Sequence, residues 1–185
     1  MAWIATENFD SYATDANLNG GAGGTNWSAN WVAAGTLITT PTAPSGMTGK
    51  SAKYASTTAE EATRAFASPT GVTEMYFRMQ GANTNVDKTV RLQNSGVAER
   101  ITITMNSAGN ITANGTIIQA YIANTTYVIG LKWGHNGTNY AVSINGGAYS
   151  ADIAINGAST TIDKFVLSGN PTFYVDDIAV GTYIA

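Results

Sequence analysis

Arg100-Ile101-Thr102-Ile103-Thr104-Met105-Asn106-Ser107-Ala108-Gly109-Asn110-Ile111-Thr112-Ala113 is the stretch that decides the fold. Ile101, Ile103 and Met105 alternate with Thr102 and Thr104, so the first half is a strand with its apolar side chains on one face. Asn106–Asn110 is rich in residues that accept turn geometry and returns the chain into Ile111-Thr112-Ala113 as a hairpin. The same grammar extends in both directions. Upstream, Val72–Gln80 places Met75, Phe77 and Met79 on one face and Glu74, Tyr76 and Arg78 on the other. Downstream, Tyr127, Ile129, Leu131 and Trp133 share a face, and Asn136-Gly137 turns the chain into a strand whose Tyr140, Val142 and Ile144 share the next. Asn145-Gly146-Gly147 turns it again, and Phe165–Leu167 and Phe173–Val180 close the sequence as strands. Thr57–Arg64 is the best helical window, but it is short and has no apolar stripe.

About a dozen such strands predict an all-β chain: a two-sheet antiparallel sandwich formed by residues 1–185 as one domain. Its core is expected to include Phe9, Phe66, Met75, Phe77, Ile101, Ile103, Leu131, Trp133, Val142, Ile144, Phe165 and Val175. Asn17–Trp31 has no strand period and reads as a Gly-rich loop, and Pro41–Gly46 as a shorter one. The 185 residues are 44% hydrophobic and only 11% charged, which excludes a wholly disordered chain. Nine Lys and Arg against twelve Asp and Glu leave no positive surplus, so nucleic acid is not expected as a partner. No apolar run is long enough for a membrane span. The absence of cysteine excludes disulfides, thiolate zinc sites and thiol catalysis. The start, Met1–Glu7, shows no secretory signal, which leaves a virion or extracellular location by assembly inside a cell or as a module of a longer exported protein.

The order of the pieces resembles the laminin-G-like, or concanavalin A-like, jelly-roll domains of bacterial and phage proteins. Glu7-Asn8-Phe9-Asp10-Ser11-Tyr12, followed by the Gly-rich loop and Trp27, looks like that family's first strand and loop. Gly49–Tyr54 and Arg64–Phe66 resemble its next core strands, Tyr140–Gly146 the strand ending in an Asn-Gly turn, and Phe173–Val180 its terminal strand. The fold hosts lectins, glycan-binding modules, polysaccharide hydrolases and lyases, adhesion domains and virion parts, so it does not decide function.

Hydrolases on this fold use carboxylates spaced along one strand, and Glu-x-Asp-x-x-Glu is absent here. Glu60-Glu61 and Asp176-Asp177 are adjacent pairs whose members point to opposite faces of a strand. His135, the one histidine, sits in a turn without a Gly-x-Ser-x-Gly elbow. No catalytic residue, and no enzyme, is therefore expected. In related modules a cation ties the first strand to the last. That implies Ca²⁺ as a structural ion, with Glu7, Asp10, Asp176 and Asp177 as ligands. Asp15-x-Asn17-x-Asn19-Gly20 matches the beginning of a calcium loop but lacks its final Glu. Trp27, Trp31, Tyr121 and Tyr149 lie in or near loops and are the candidates for stacking on sugar rings, with Trp27 and Trp31 folded back as lids over the sandwich core as the alternative. The Asn-x-Ser/Thr triplets at Asn26, Asn110, Asn114, Asn124 and Asn136 need no glycosylation in a chain this rich in Asn and Thr.

The leading expectation is a structural or binding protein of a virion surface, a phage capsid-decoration or tail component. It would dock low-charge edges onto a capsid or tail protein and onto copies of itself as a homo-oligomer. The alternative is a carbohydrate-binding module of an exported bacterial protein, with a surface glycan as partner. The third reading is a polysaccharide lyase or hydrolase.

Overall fold

The computed structural model describes residues 2–40, 42–54, 60–96, 98–157, 161–169 and 172–182. Fifteen strands and no helix form among them. β1 (Ala2–Glu7), β3 (Leu37–Thr39), β4 (Ala52–Tyr54), β6 (Thr73–Gly81), β11 (Thr126–Trp133), β12 (Asn139–Ile144), β13 (Ile153–Ala154) and β15 (Phe173–Thr182) build an eight-stranded sheet. Its order is β13-β12-β11-β6-β15-β4-β3, with β1 also paired to β15. β2 (Val32–Ala34), β5 (Glu60–Ala65), β7 (Lys88–Gln93), β8 (Glu99–Met105), β9 (Asn110–Ala113), β10 (Thr116–Ala120) and β14 (Lys164–Gly169) build the second sheet, in the order β10-β9-β8-β7-β14-β5-β2. Every pairing is antiparallel. This is the two-sheet sandwich the alternation predicts.

The alternating faces explain the core. Met75, Phe77 and Met79 of β6 and Tyr127, Ile129, Leu131 and Trp133 of β11 meet Ile101, Ile103 and Met105 of β8 and Phe165 and Leu167 of β14 in one buried cluster. Eleven of the twelve expected core residues are buried; Ile144, at the end of β12, is half-buried against the cluster. Tyr54 crosses between the sheets, and its hydroxyl donates to the Leu167 carbonyl at 2.6 Å. The hairpins turn where Asn-Gly permits a left-handed backbone: Asn114-Gly115 between β9 and β10, and Asn145-Gly146 after β12, all four with positive φ.

One local expectation differs from the structure, one strand is additional, and the rejected helical window is a strand. The first strand is Ala2–Glu7, so it ends at Glu7 rather than starting there. Asn8–Tyr12 turns away, with Phe9 at φ 60° delivering its ring to the core. The strand at Thr116–Ala120 is an additional edge. The helical window resolves as β5 from Glu60 onward, and Thr57–Ala59 lie outside the described residues.

Candidate functional site

β1, β15, β6, β11 and β12 run side by side, and their registers put two rows of side chains on the face turned away from the core. One row is Trp3, Gly181, Glu74, Lys132 and Ala141; the next is Thr6, Ala179, Tyr76, Gly130 and Ser143. Two loops lie over this outer face. One contains Gly46, whose carbonyl accepts from Arg78 Nη1 at 2.8 Å, and Ser45, whose carbonyl accepts from Thr126 at 2.7 Å. The other follows β12 and carries Tyr149; Ser150 holds it to the edge of β12 through the Val142 backbone.

An aromatic and acidic cluster occupies the space beside the second loop. The Tyr149 hydroxyl donates to Glu74 Oε1 at 2.8 Å. The Tyr76 hydroxyl is 3.1 Å from that of Tyr149 and, because the Tyr149 proton is committed to Glu74, is the donor of the pair. Burial, and then the hydrogen bonds with Tyr76 and Glu74, push the Tyr149 phenol far up, so it stays a donor at any working pH. Glu74 is buried, and its Oε2 finds no hydrogen-bond partner among the described residues. Lys132 Nζ sits 4.5 Å from the Tyr149 ring centroid. Trp3 meets Tyr76 edge-on at 5.8 Å and is 42% exposed, unusual for so large a ring. Gly130 makes the arrangement fit: a Cβ there would come within 2.8 Å of the Tyr76 ring and 2.4 Å of Ser143 Oγ. Next to this cluster a groove of about 310 Å³ is lined by Thr6, Asn8, Gly24, Thr25, Asp177 and Ala179. Thr6 and Ala179 share the register row of Tyr76, so the groove begins one strand away from the aromatic cluster.

Of the four aromatic residues singled out from sequence, only Tyr149 belongs to this surface. Trp31 is fully buried against Phe9. Tyr121 is buried, with its hydroxyl directed at the Asn83 and Asn106 carbonyls. Trp27 is half-buried; its indole N–H donates to the Thr6 carbonyl, Arg64 lies 4.8 Å over its ring, and Phe66 packs edge-on. The Gly-rich loop folds inward because its two indoles have apolar partners there, so they cap the sandwich instead of offering rings to a ligand. Trp3, Tyr76, Glu74 and Lys132 take the place of these residues on the exposed face.

The four carboxylates expected to hold calcium do not converge. Glu7 is buried and ion-paired with Arg64, and it also accepts from Phe9 N at 2.9 Å and the Tyr12 hydroxyl at 3.1 Å. Asp177 pairs with Arg78 at 2.7 Å. Asp10 accepts from Lys50 N at 2.8 Å. Asp176 pairs in register with Arg78 ahead of a bulge in β15 and is buried, and its Oδ2 lacks a partner among the described residues. Burial, with the Asp177 and Asp10 charges nearby, pushes the Asp176 carboxyl up to about 7. In the second candidate loop, Asn17 Oδ1 accepts from Asn19 N and Asn19 Oδ1 from Ala33 N. Among the described residues no group of three or more His, Asp or Glu is gathered closely enough to hold a metal ion. The donor set therefore does not fit the expected ion.

No protein-family model and no curated protein matches this chain. Solved structures do. A sialidase superposes over 98% of the chain with a TM-score of 0.72 at 11% identity. The Trypanosoma rangeli sialidase in complex with 2,3-difluorosialic acid superposes over 99% with a TM-score of 0.63 at 8% identity. The exoplasmic/lumenal domain of VIP36 superposes over 91% with a TM-score of 0.56 at 10% identity, and the match covers 91% of that domain. The chain spans only 19% and 31% of the two sialidases. At these identities the likeness is one of fold: a concanavalin A-like jelly roll, as the order of strands implied. The comparisons also correct the expectation that the chain is not an enzyme, because sialidases stand among the structures that share its fold.

Proposed function

We propose that this chain is a glycan-recognition domain and that its binding surface is the outer face of the eight-stranded sheet. The observation that carries the reading is the exposed Trp3 ring set against Tyr76, Tyr149 and the buried Glu74 carboxylate, beside a polar groove. A sugar ring has an apolar C–H face and a rim of hydroxyls. It suits a surface that pairs an aromatic plate with fixed donors and acceptors. Here Trp3 supplies the plate, and Thr6, Asn8 and Asp177 supply the polar rim. Tyr76, Lys132 and Tyr149 are held by their mutual contacts, which lowers the cost of ordering them around a ligand. VIP36, which shares the fold, has been solved in a Ca²⁺/Man2-bound form, and the Trypanosoma rangeli sialidase with a sialic acid derivative. Both support recognition of carbohydrate; what the sialidases do is a property of much longer chains.

The reading takes residues 1–185 as one jelly-roll unit and carries with it a location where glycans occur, outside the cell or on a virion surface. A capsid- or tail-docking role, expected from the scarcity of charge, the start without a secretory signal, the lack of converging catalytic groups and the resemblance, accounts for none of the outer-face cluster. The test is a glycan array with the 185-residue chain, followed by titration of the strongest binder against the wild type, Trp3→Ala and Trp27→Ala. Trp3→Ala is expected to weaken binding about tenfold, equivalent to about 1.4 kcal/mol, while Trp27→Ala leaves it within twofold. An array without binders, or a loss confined to Trp27→Ala, overturns the reading.

A further inference from the structure

The seven-stranded sheet ends on β10, which is hydrogen-bonded only to β9 among the described residues. An exposed edge of this kind is ordinarily guarded by lysine, proline or inward-pointing charge. β10 reads Thr-Ile-Ile-Gln-Ala, and no residue from Ile101 to Leu131 carries a charge. Its one guard is a bulge between Ile117 and Gln119. Of the four large apolar side chains exposed among the described residues, one belongs to this edge, Ile117, 64% exposed, and a second, Ile122, 71% exposed, lies two residues beyond it. A furrow of about 380 Å³ runs alongside, between Thr116–Ile118 and Ser150–Ala154. Its one charged lining residue, Asp152, is occupied by His135 at 2.8 Å and by Asn136.

We propose that the β10 edge is an interface between two copies of this chain, related by a two-fold axis and pairing β10 with β10. Charge selects the edge. The chain carries a net −3, so two copies repel in a general orientation, and the uncharged edge is where that repulsion is least. A partner recognised through charge finds nothing to read there. An antiparallel edge is its own complement under two-fold symmetry, and an isologous contact closes at two subunits. The opposite edge does not offer the same match: β2, with Val32 63% exposed, lies against Glu61, and Glu60 accepts from Thr36 N beside it. In the dimer Ile117 and the furrow form the apolar centre, and the outer face of the other sheet stays open on both copies. The inference stands apart from the glycan reading, since neither uses the other's residues.

The test is sedimentation velocity of the 185-residue chain from micromolar to near-millimolar concentration. A monomer–dimer equilibrium is expected, weakened about tenfold or more by Ile117→Lys and unchanged by Val32→Lys. Hydrogen–deuterium exchange of the wild type at two concentrations keeps the test independent of any folding defect in the variant: amides of Thr116–Ala120 gain protection as concentration rises. A monomer at every concentration overturns the proposal. So does a dimer without concentration-dependent protection in β10.

Discussion

Replacing Arg64 with alanine tests how the Gly-rich loop is held against the sandwich. The Arg64 guanidinium is buried and ion-paired with Glu7; Nη2 donates to the Gly23 carbonyl at 2.6 Å and Nε to the Ala29 carbonyl at 3.2 Å. Its flat face lies 4.8 Å from the Trp27 ring and 5.6 Å from that of Trp31. Truncation strands the Glu7 carboxylate, 1% exposed, with only the Phe9 amide, the Tyr12 hydroxyl and a long contact to Trp31. Breaking one side of a buried ion pair costs about 3–5 kcal/mol, a large share of the roughly 5–15 kcal/mol that holds a domain together. Urea unfolding followed by tryptophan fluorescence reads this directly, because Trp27 and Trp31 flank the site. The expected result is a lower midpoint with an unchanged slope. Adding Glu7→Gln to Arg64→Ala removes the unpaired charge and recovers part of the loss, about 1–2 kcal/mol. A loss below about 1 kcal/mol for Arg64→Ala, or a double variant less stable than the single one, refutes the reasoning.

Gly130→Ala keeps the backbone of β11 unstrained but sets a methyl group against the Tyr76 ring and Ser143. The protein is expected to fold while glycan affinity drops several-fold, measured by the same titration as Trp3→Ala. Asp176 has its folded-state value raised to about 7, so the stability it contributes is fully present below about pH 4 and is lost as pH rises through 7. Stability of the wild type, read by thermal unfolding, should fall between pH 4 and 8, by at most about 4 kcal/mol from this group, and Asp176→Asn should flatten that slope. Identical slopes in the two proteins would count against a carboxyl whose value burial raises. Tyr149→Phe leaves Glu74 Oε1 buried without its donor and is expected to cost about 1–3 kcal/mol in urea unfolding, whereas Tyr121→Phe, whose hydroxyl makes only long contacts to two carbonyls, costs less.

Alternation made the sheets legible. Met75, Phe77, Met79, Ile101 and Ile103 are apolar every second residue, and a period of two has one structural meaning. Turns were legible where Asn-Gly demanded them, but Asn114-Gly115 joins strands too short for alternation to flag, and β10 was missed. The binding surface was less legible. Tyr76 stands on the solvent side of a strong strand, where a large ring is a signal in itself, yet its neighbours are set by strand order. Trp3 comes from one end of the sequence and reaches Tyr76 only because β1 and β6 both pair with β15. The loop position of Trp27 and Trp31 leaves exposure and a lid over the core both open, and the structure makes them lids. Nothing local announces that Arg64, in a strand far downstream, draws both indoles inward. The calcium set failed for the same reason: Glu7 and Asp177 each find an arginine, Arg64 and Arg78, whose place opposite them depends on sheet order.

The central claim is that the outer face of the eight-stranded sheet is where carbohydrate binds. Backbone amide shift mapping by NMR, during titration with the strongest array glycan, tests it most directly. The account predicts that the largest changes cluster on Trp3, Thr6, Tyr76, Lys132, Tyr149 and Ala179. Changes concentrated in the Gly-rich loop around Trp27 or along β10, with the outer face silent, would contradict it.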